Sequence, residues 1–131
     1  MIVEGASPKE KEEVRSVIGR LMAALATLGV SRQEEWENVG LGELLGYIIR
    51  AYRWIFGISE EPPGPLSQQI GEKAKEVIKQ LVEQKRAEVE EKEESLRQEK
   101  YSDREIQMIY SLYEKAGKWA TEALDWLVGQ G

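Results

Sequence analysis

From Ser67 to Lys100 the chain runs without a proline, and another serine follows at position 102. Ile70, Ala74, Val77, Ile78, Leu81 and Val82 recur along this stretch at three- and four-residue spacing, then thin to Val89 and Leu96. Such a stripe is one face of a helix. With Ser67 as its cap, a helix over 67–100 would be roughly 50 Å long. It would overhang a short bundle, and its seam would need a partner. The next element supplies one. Ser102-Asp103-Arg104-Glu105 is a capping box, so the turn at Tyr101 is tight. Ile106, Tyr110, Tyr113, Gly117, Ala120, Leu124 and Leu127 then repeat at four-three spacing, with Leu112, Trp119 and Trp126 beside that seam at sevens. A short connection makes 67–100 and 103–128 antiparallel neighbours. Val89 and Leu96 should meet Ile106, Ile109 and Tyr113, and Gly117 and Ala120 allow close helix approach.

The N-terminal part is punctuated in the same way. Ser7-Pro8-Lys9-Glu10 reads as a capping box with proline at the first helical position. Val14, Ile18, Leu21, Leu25 and Leu28 form its stripe, and Gly29 ends it. Ser31-Arg32-Gln33-Glu34 reads as another capping box, opening a short helix that carries Trp36. After a bend at Val39-Gly40-Leu41-Gly42, a third helix runs to about Phe56, with Gly57 as its stop. Pro62, Pro63 and Pro65 forbid helix in the segment that follows. No strand-like alternation occurs. The expected fold is all-α, one domain over 1–131: a bundle of four to five helices, with helices within 8–57, a Pro-rich loop at 58–66 and a long antiparallel helical hairpin at 67–128.

Composition narrows the chemistry. The chain has no histidine and no cysteine, which removes the commonest general base, thiolate nucleophiles and the usual zinc ligands. Gly40, Gly42 and Gly46 have the wrong spacing for a dinucleotide loop, and no strand precedes them. Glu34, Glu35 and Glu37 are the densest carboxylate cluster outside the long helix, at a helix N-terminus where negative charge is favoured anyway. The expectation is a protein that is not an enzyme and uses no cofactor or metal, the remaining alternative being carboxylate-only catalysis with Mg²⁺ held by glutamates. The start MIVEGASPKEK lacks the basic and apolar regions of a signal peptide, and no apolar run reaches the ~18 residues of a membrane span. The net charge of -6 disfavours generic nucleic-acid binding unless the charges are segregated by face.

Three faces could bind something. On a helical wheel, Arg50 and Arg53 of GYIIRAYRWIFG share a narrow strip with Glu43, bordered by Tyr47 and Trp54, opposite an apolar sector of Leu44, Leu45, Ile48, Ile49, Tyr52, Ile55 and Phe56. Two readings fit: snorkelling arginines at the wet edge of a buried helix, or a guanidinium surface for phosphate or carboxylate. On the long helix, Lys75, Lys79, Arg86, Arg97 and Lys100 fall in a band roughly 60° wide, suited either to a phosphate backbone or to i,i+4 pairs such as Glu88–Lys92 and Glu93–Arg97. Trp36, Trp54, Trp119 and Trp126 are many tryptophans for so small a chain, and some are candidates for an assembly interface.

In its length, its LLGYIIRAYRWIFG helix and the basic band, the chain resembles the α-helical major coat proteins of filamentous viruses of hyperthermophilic archaea. The resemblance is architectural and rests on no specific motif. It implies a capsid protein that self-assembles, with itself or a paralogue, around double-stranded DNA in a virion. Arg50, Arg53, Lys75, Lys79 and Arg86 would then be the DNA-binding positions; the net acidic charge departs from that pattern. The rival expectation is a cytoplasmic helical adaptor or coiled-coil subunit of a larger protein or ribonucleoprotein complex.

Overall fold

The structure is a computed structural model and describes residues 8–129. It is all-helical over those residues: α1 (Pro8–Thr27), α2 (Gln33–Asn38), α3 (Gly42–Ile55), α4 (Gln68–Gln98) and α5 (Asp103–Val128). Ser67 caps α4, its side chain accepting from the Ile70 amide, and the Ser102–Glu105 capping box opens α5 as the sequence predicts. The long antiparallel hairpin follows from those two caps. Ser7, the first predicted cap, lies outside the described residues.

The second cap sits one residue later than the sequence reading placed it. Arg32 occupies the N-cap position, and the Glu35 carboxylate accepts from the Arg32 amide at 2.9 Å and from the Ser31 amide at 3.1 Å. Glu34 is therefore not the box residue. The Glu35 side chain, rather than a serine hydroxyl, satisfies the exposed amides ahead of α2.

α5 is the centre of the fold, with α4 along one side and α1 along the other. Glu10 and Glu13 of α1 lie by Trp126, and the Lys85 side chain lies against Gly29 just beyond the end of α1. So α1 runs parallel to α4 and antiparallel to α5. It covers only the base of the hairpin; residues 86–112 project beyond it as a two-helix arm. Gly117 decides how closely α4 approaches, because a Cβ there would lie 2.6 Å from Val82 Cγ2. The arm keeps a dry seam of its own, with Val89 and Ile106 buried. One core joins residues from all five helices, and no charged or polar residue among those described is buried in it.

α3 packs across α1 in an orientation that differs from the wheel prediction. Its buried residues are Leu44, Tyr47, Ile48, Ala51 and Trp54, whereas Ile49 and Phe56 are exposed. The inward face is thus rotated by roughly 95° towards Tyr47 and Trp54. The physical cause is the loop. Residues 58–66 cross back beside α3, the Tyr47 hydroxyl donates to the Gly64 carbonyl at 2.8 Å, and the Leu66 amide donates to Leu127 O at 3.0 Å. Two aromatic rings read as borders of an arginine strip become the surface on which that strap lies.

Candidate functional site

The strap starts where α3 stops. Gly57, at φ +77°, takes the left-handed conformation that ends a helix cheaply, and its amide donates to Trp54 O while the Ile58 amide donates back to Arg53 O. The chain then turns through Ser59 to Pro62-Pro63, which fixes it as an extended strap. The two prolines line two cavities.

The first, of about 270 Å³, is lined by Arg50, Arg53, Ser59, Glu61 and the prolines. Both arginines are exposed, and neither makes an ion pair among the described residues. The Arg50 guanidinium sits 5.9 Å from the Tyr47 ring centroid. The cation over Trp54 is not an arginine but Lys11 Nζ, at 5.4 Å. Two guanidinium forks outside any ion pair, with a hydroxyl nearby, can hold an oxyanion, against the opposing charge of Glu61 in the same lining.

The second cavity, of about 180 Å³, is walled by Tyr47, Trp54 and Trp126, floored by Val14, and edged by Glu10 and Glu13 of α1. Burial raises the Tyr47 phenol above its ordinary pKa, against a small opposing effect of Arg50, so the ring stays neutral. The sequence showed Tyr47 and Trp54 on one side of α3. It gave no signal that Trp126, seventy-two residues downstream of Trp54, and two α1 carboxylates would join them.

The predicted basic band of α4 opens onto a third, separate depression of about 560 Å³ between α4 and α5, whose floor includes Ile78, Val82 and Gly117. Lys75, Lys79 and Arg86 line it, but two of them are engaged. Lys75 Nζ donates to Asp125 at 2.6 Å and lies 3.4 Å from Glu72, and Arg86 is 3.5 Å from Glu114. The Asp125 hydrogen bond raises the Lys75 pKa further, keeping it charged and paired. Farther along, Arg97 bridges Glu93 and Asp103. Glu93–Arg97 therefore forms as predicted, while Glu88 pairs with Lys85 at 3.5 Å. The structure does not bring Arg50 and Arg53 into one site with Lys75, Lys79 and Arg86.

The four tryptophans also separate. Trp36 is 1% exposed and Trp54 4%, so both fill the interior and offer no surface to a neighbour. Trp126 is half-buried against α1, and Trp119 is 48% exposed. Of the four predicted interface residues only Trp119 stands fully at the surface. Among the described residues no helix is long and apolar enough to cross a membrane, and no group of three carboxylates is placed to hold a metal ion. No protein-family model, curated protein or solved structure matches this chain.

Proposed function

We propose that the protein is a non-catalytic helical subunit that joins a second copy of itself through the outer edge of α5. The observation that carries this is the exposure of Met108, Leu112 and Trp119, at 63, 52 and 48%. Their spacing of four and seven aligns them on one strip about 16 Å long. Single exposed apolar residues are ordinary, but three large ones in line are an unpartnered stripe. The charges along it are of both signs, with Lys115 on the strip itself and Arg104 and Glu122 at its edge. Set antiparallel about a twofold axis near residue 113, α5 would place Met108 against Trp119 of the other copy and Arg104 against its Glu122. Symmetry repeats both contacts, as an isologous interface requires.

Enclosure of DNA by such an assembly is the finer form of this reading. Its support is Arg50 and Arg53, which stand outside any ion pair among the described residues; Lys75 and Arg86 already face α5 carboxylates, and the net charge of -6 opposes a phosphate backbone. Sedimentation equilibrium over a wide concentration range tests the assembly. Wild type should associate, and Trp119→Glu should be a folded monomer. A wild type that stays monomeric at millimolar concentration refutes the reading. The DNA arm is a nuclease-protection assay, in which replacing Arg50 and Arg53 by alanine should abolish protection.

A further inference from the structure

We propose that the cavity lined by Arg50, Arg53, Ser59 and Glu61 binds a small phosphate monoester in its singly protonated form. Its volume of about 270 Å³ is room for roughly nine waters at ~30 Å³ each, which suits one tetrahedral phosphate that keeps part of its hydration. Arg50 and Arg53 are three residues apart, so they stand on one face of α3. Arg50 lies over the Tyr47 ring, 5.9 Å from its centroid. That contact takes up none of its five N–H donors, and among the described residues neither arginine donates to a carboxylate. The Ser59 hydroxyl oxygen accepts from the Glu61 amide at 3.2 Å, which leaves its proton for a third contact.

An anion beside a helix C-terminus is ordinarily repelled by the last carbonyls. Here two of those carbonyls are occupied. The Gly57 amide donates to Trp54 O at 3.1 Å, and the Ile58 and Ser59 amides both donate to Arg53 O, at 2.8 and 3.0 Å. Glu61 is the group that selects the ligand. Its carboxylate shares the lining with both arginines, so the cavity carries two positive charges and one negative. Glu43 and Glu60, though near in sequence, are not part of that lining. An ionised carboxylate is an acceptor only. It repels an anion whose oxygens are all bare, and it accepts from one that still carries an O–H. A singly protonated phosphate monoester offers both kinds of oxygen, bare ones for the guanidinium forks and one O–H for Glu61. A nucleic-acid backbone is built of diesters, which have no such proton, so the two ligands make opposite demands on Glu61. The inference does not depend on association through α5.

The probes are ethyl phosphate, ethyl sulfate and dimethyl phosphate. At pH 5.5, between the range in which carboxylates titrate and the second pKa of about 6 of a phosphate monoester, all three carry mainly one negative charge. Only ethyl phosphate then has an O–H. Titration of the full chain at fixed ionic strength, followed by the arginine Nε–H resonances, reads the site, with the exposed Arg20 and Arg104 as controls. Arg50 and Arg53 should shift, and ethyl phosphate should bind roughly fivefold tighter than the other two, the value of about one hydrogen bond. Glu61→Gln, whose amide donates as well as accepts, should bring the three ligands within about twofold, chiefly by strengthening ethyl sulfate and dimethyl phosphate. Arg53→Ala should weaken ethyl phosphate roughly tenfold. Equal binding of all three by wild type overturns the proposal, because the site would then read charge alone. Tighter binding of dimethyl phosphate overturns it in favour of a nucleic-acid backbone. Glu61→Gln strengthening all three alike does so too, since Glu61 would then only repel. A uniform shift of every arginine, or no shift at roughly tens of millimolar ligand, leaves no site at all.

Discussion

Gly117→Ala tests whether the α4–α5 seam is as tight as the structure shows. In the interior of a helix, alanine is favoured over glycine by about 1 kcal/mol. At position 117 the new methyl would lie 2.6 Å from Val82 Cγ2, well inside the ~3.5–4.0 Å optimum for carbon contacts. Val82 cannot swing away freely, since a β-branched side chain in a helix has one strongly preferred rotamer. Overpacking of this kind costs about 1–3 kcal/mol. The net effect should be destabilisation by about 1 kcal/mol, a fall in Tm of about 3–5 °C for a chain of this size. Val82→Ala removes the obstructing methyl, so in that background Gly117→Ala should instead stabilise by about 1 kcal/mol. The cycle therefore carries a coupling of about 2 kcal/mol. Gly19 and Gly46 are the controls: nothing lies within 4 Å of a Cβ at either, and alanine there should raise stability by about 0.5–1 kcal/mol. Urea unfolding of the four cycle members decides it. Stabilisation by Gly117→Ala alone, or a coupling near zero, would refute the packing argument.

Lys100 ends α4 at φ +72°, where α1 and α3 use glycine, and Lys100→Gly should stabilise the hairpin turn by about 1 kcal/mol in urea unfolding. Tyr47→Phe should cost about 1 kcal/mol in the same assay, since it leaves the ring in place and removes only the hydrogen bond to Gly64. Glu35 is held at a pKa of about 2, against an ordinary 4.5, by the Arg32 and Ser31 amides that it accepts from. Its folded-state pKa is depressed, so its contribution is fully present above pH ~4.5 and is lost as pH falls towards ~2. That step should appear in the acid limb of wild-type stability and be absent from Glu35→Gln.

Helix positions were legible because their signals are local. Ser67, Ser102 with Glu105, Gly29 and Gly57 act within one turn of chain, and all four do what their residue types require. Even the misplaced α2 cap failed by one residue, where two adjacent glutamates competed for the same role. The rotation of α3 was not legible. A wheel ranks faces by summed hydrophobicity, and Ile49, Tyr52, Ile55 and Phe56 outweigh Ala51 on that scale. What buries Ala51, Tyr47 and Trp54 is the strap and α1, whose placement depends on a bond between Gly64 and Tyr47 across seventeen residues. The same non-local packing fills the core with Trp36 and Trp54 and assembles the aromatic cavity. The basic band was legible only in part. Its angular position on α4 was right, but α5 set Asp125 and Glu114 beside it, which no property of α4 could reveal.

The projecting arm gives the self-association proposal its sharpest test. Among the described residues no third helix packs on the arm beyond the end of α1, so its two outer faces are both open. On α4 the expected consequence holds: Glu88, Glu90, Glu91 and Lys92 are all exposed there. On α5 it does not, since Met108 and Leu112 occupy the equivalent surface. If that face met only water, replacing both residues by glutamine would leave folding unchanged or improve it, because neither side chain contributes to the seam held by Val89 and Ile106. If the face meets a second copy, the same double change should leave the melting of the dilute monomer within about 0.5 kcal/mol of wild type, yet abolish the concentration dependence of Tm that association produces. A monomer destabilised by several kcal/mol would instead mean that Met108 and Leu112 pack within the arm itself, and the stripe would lose its standing as an interface.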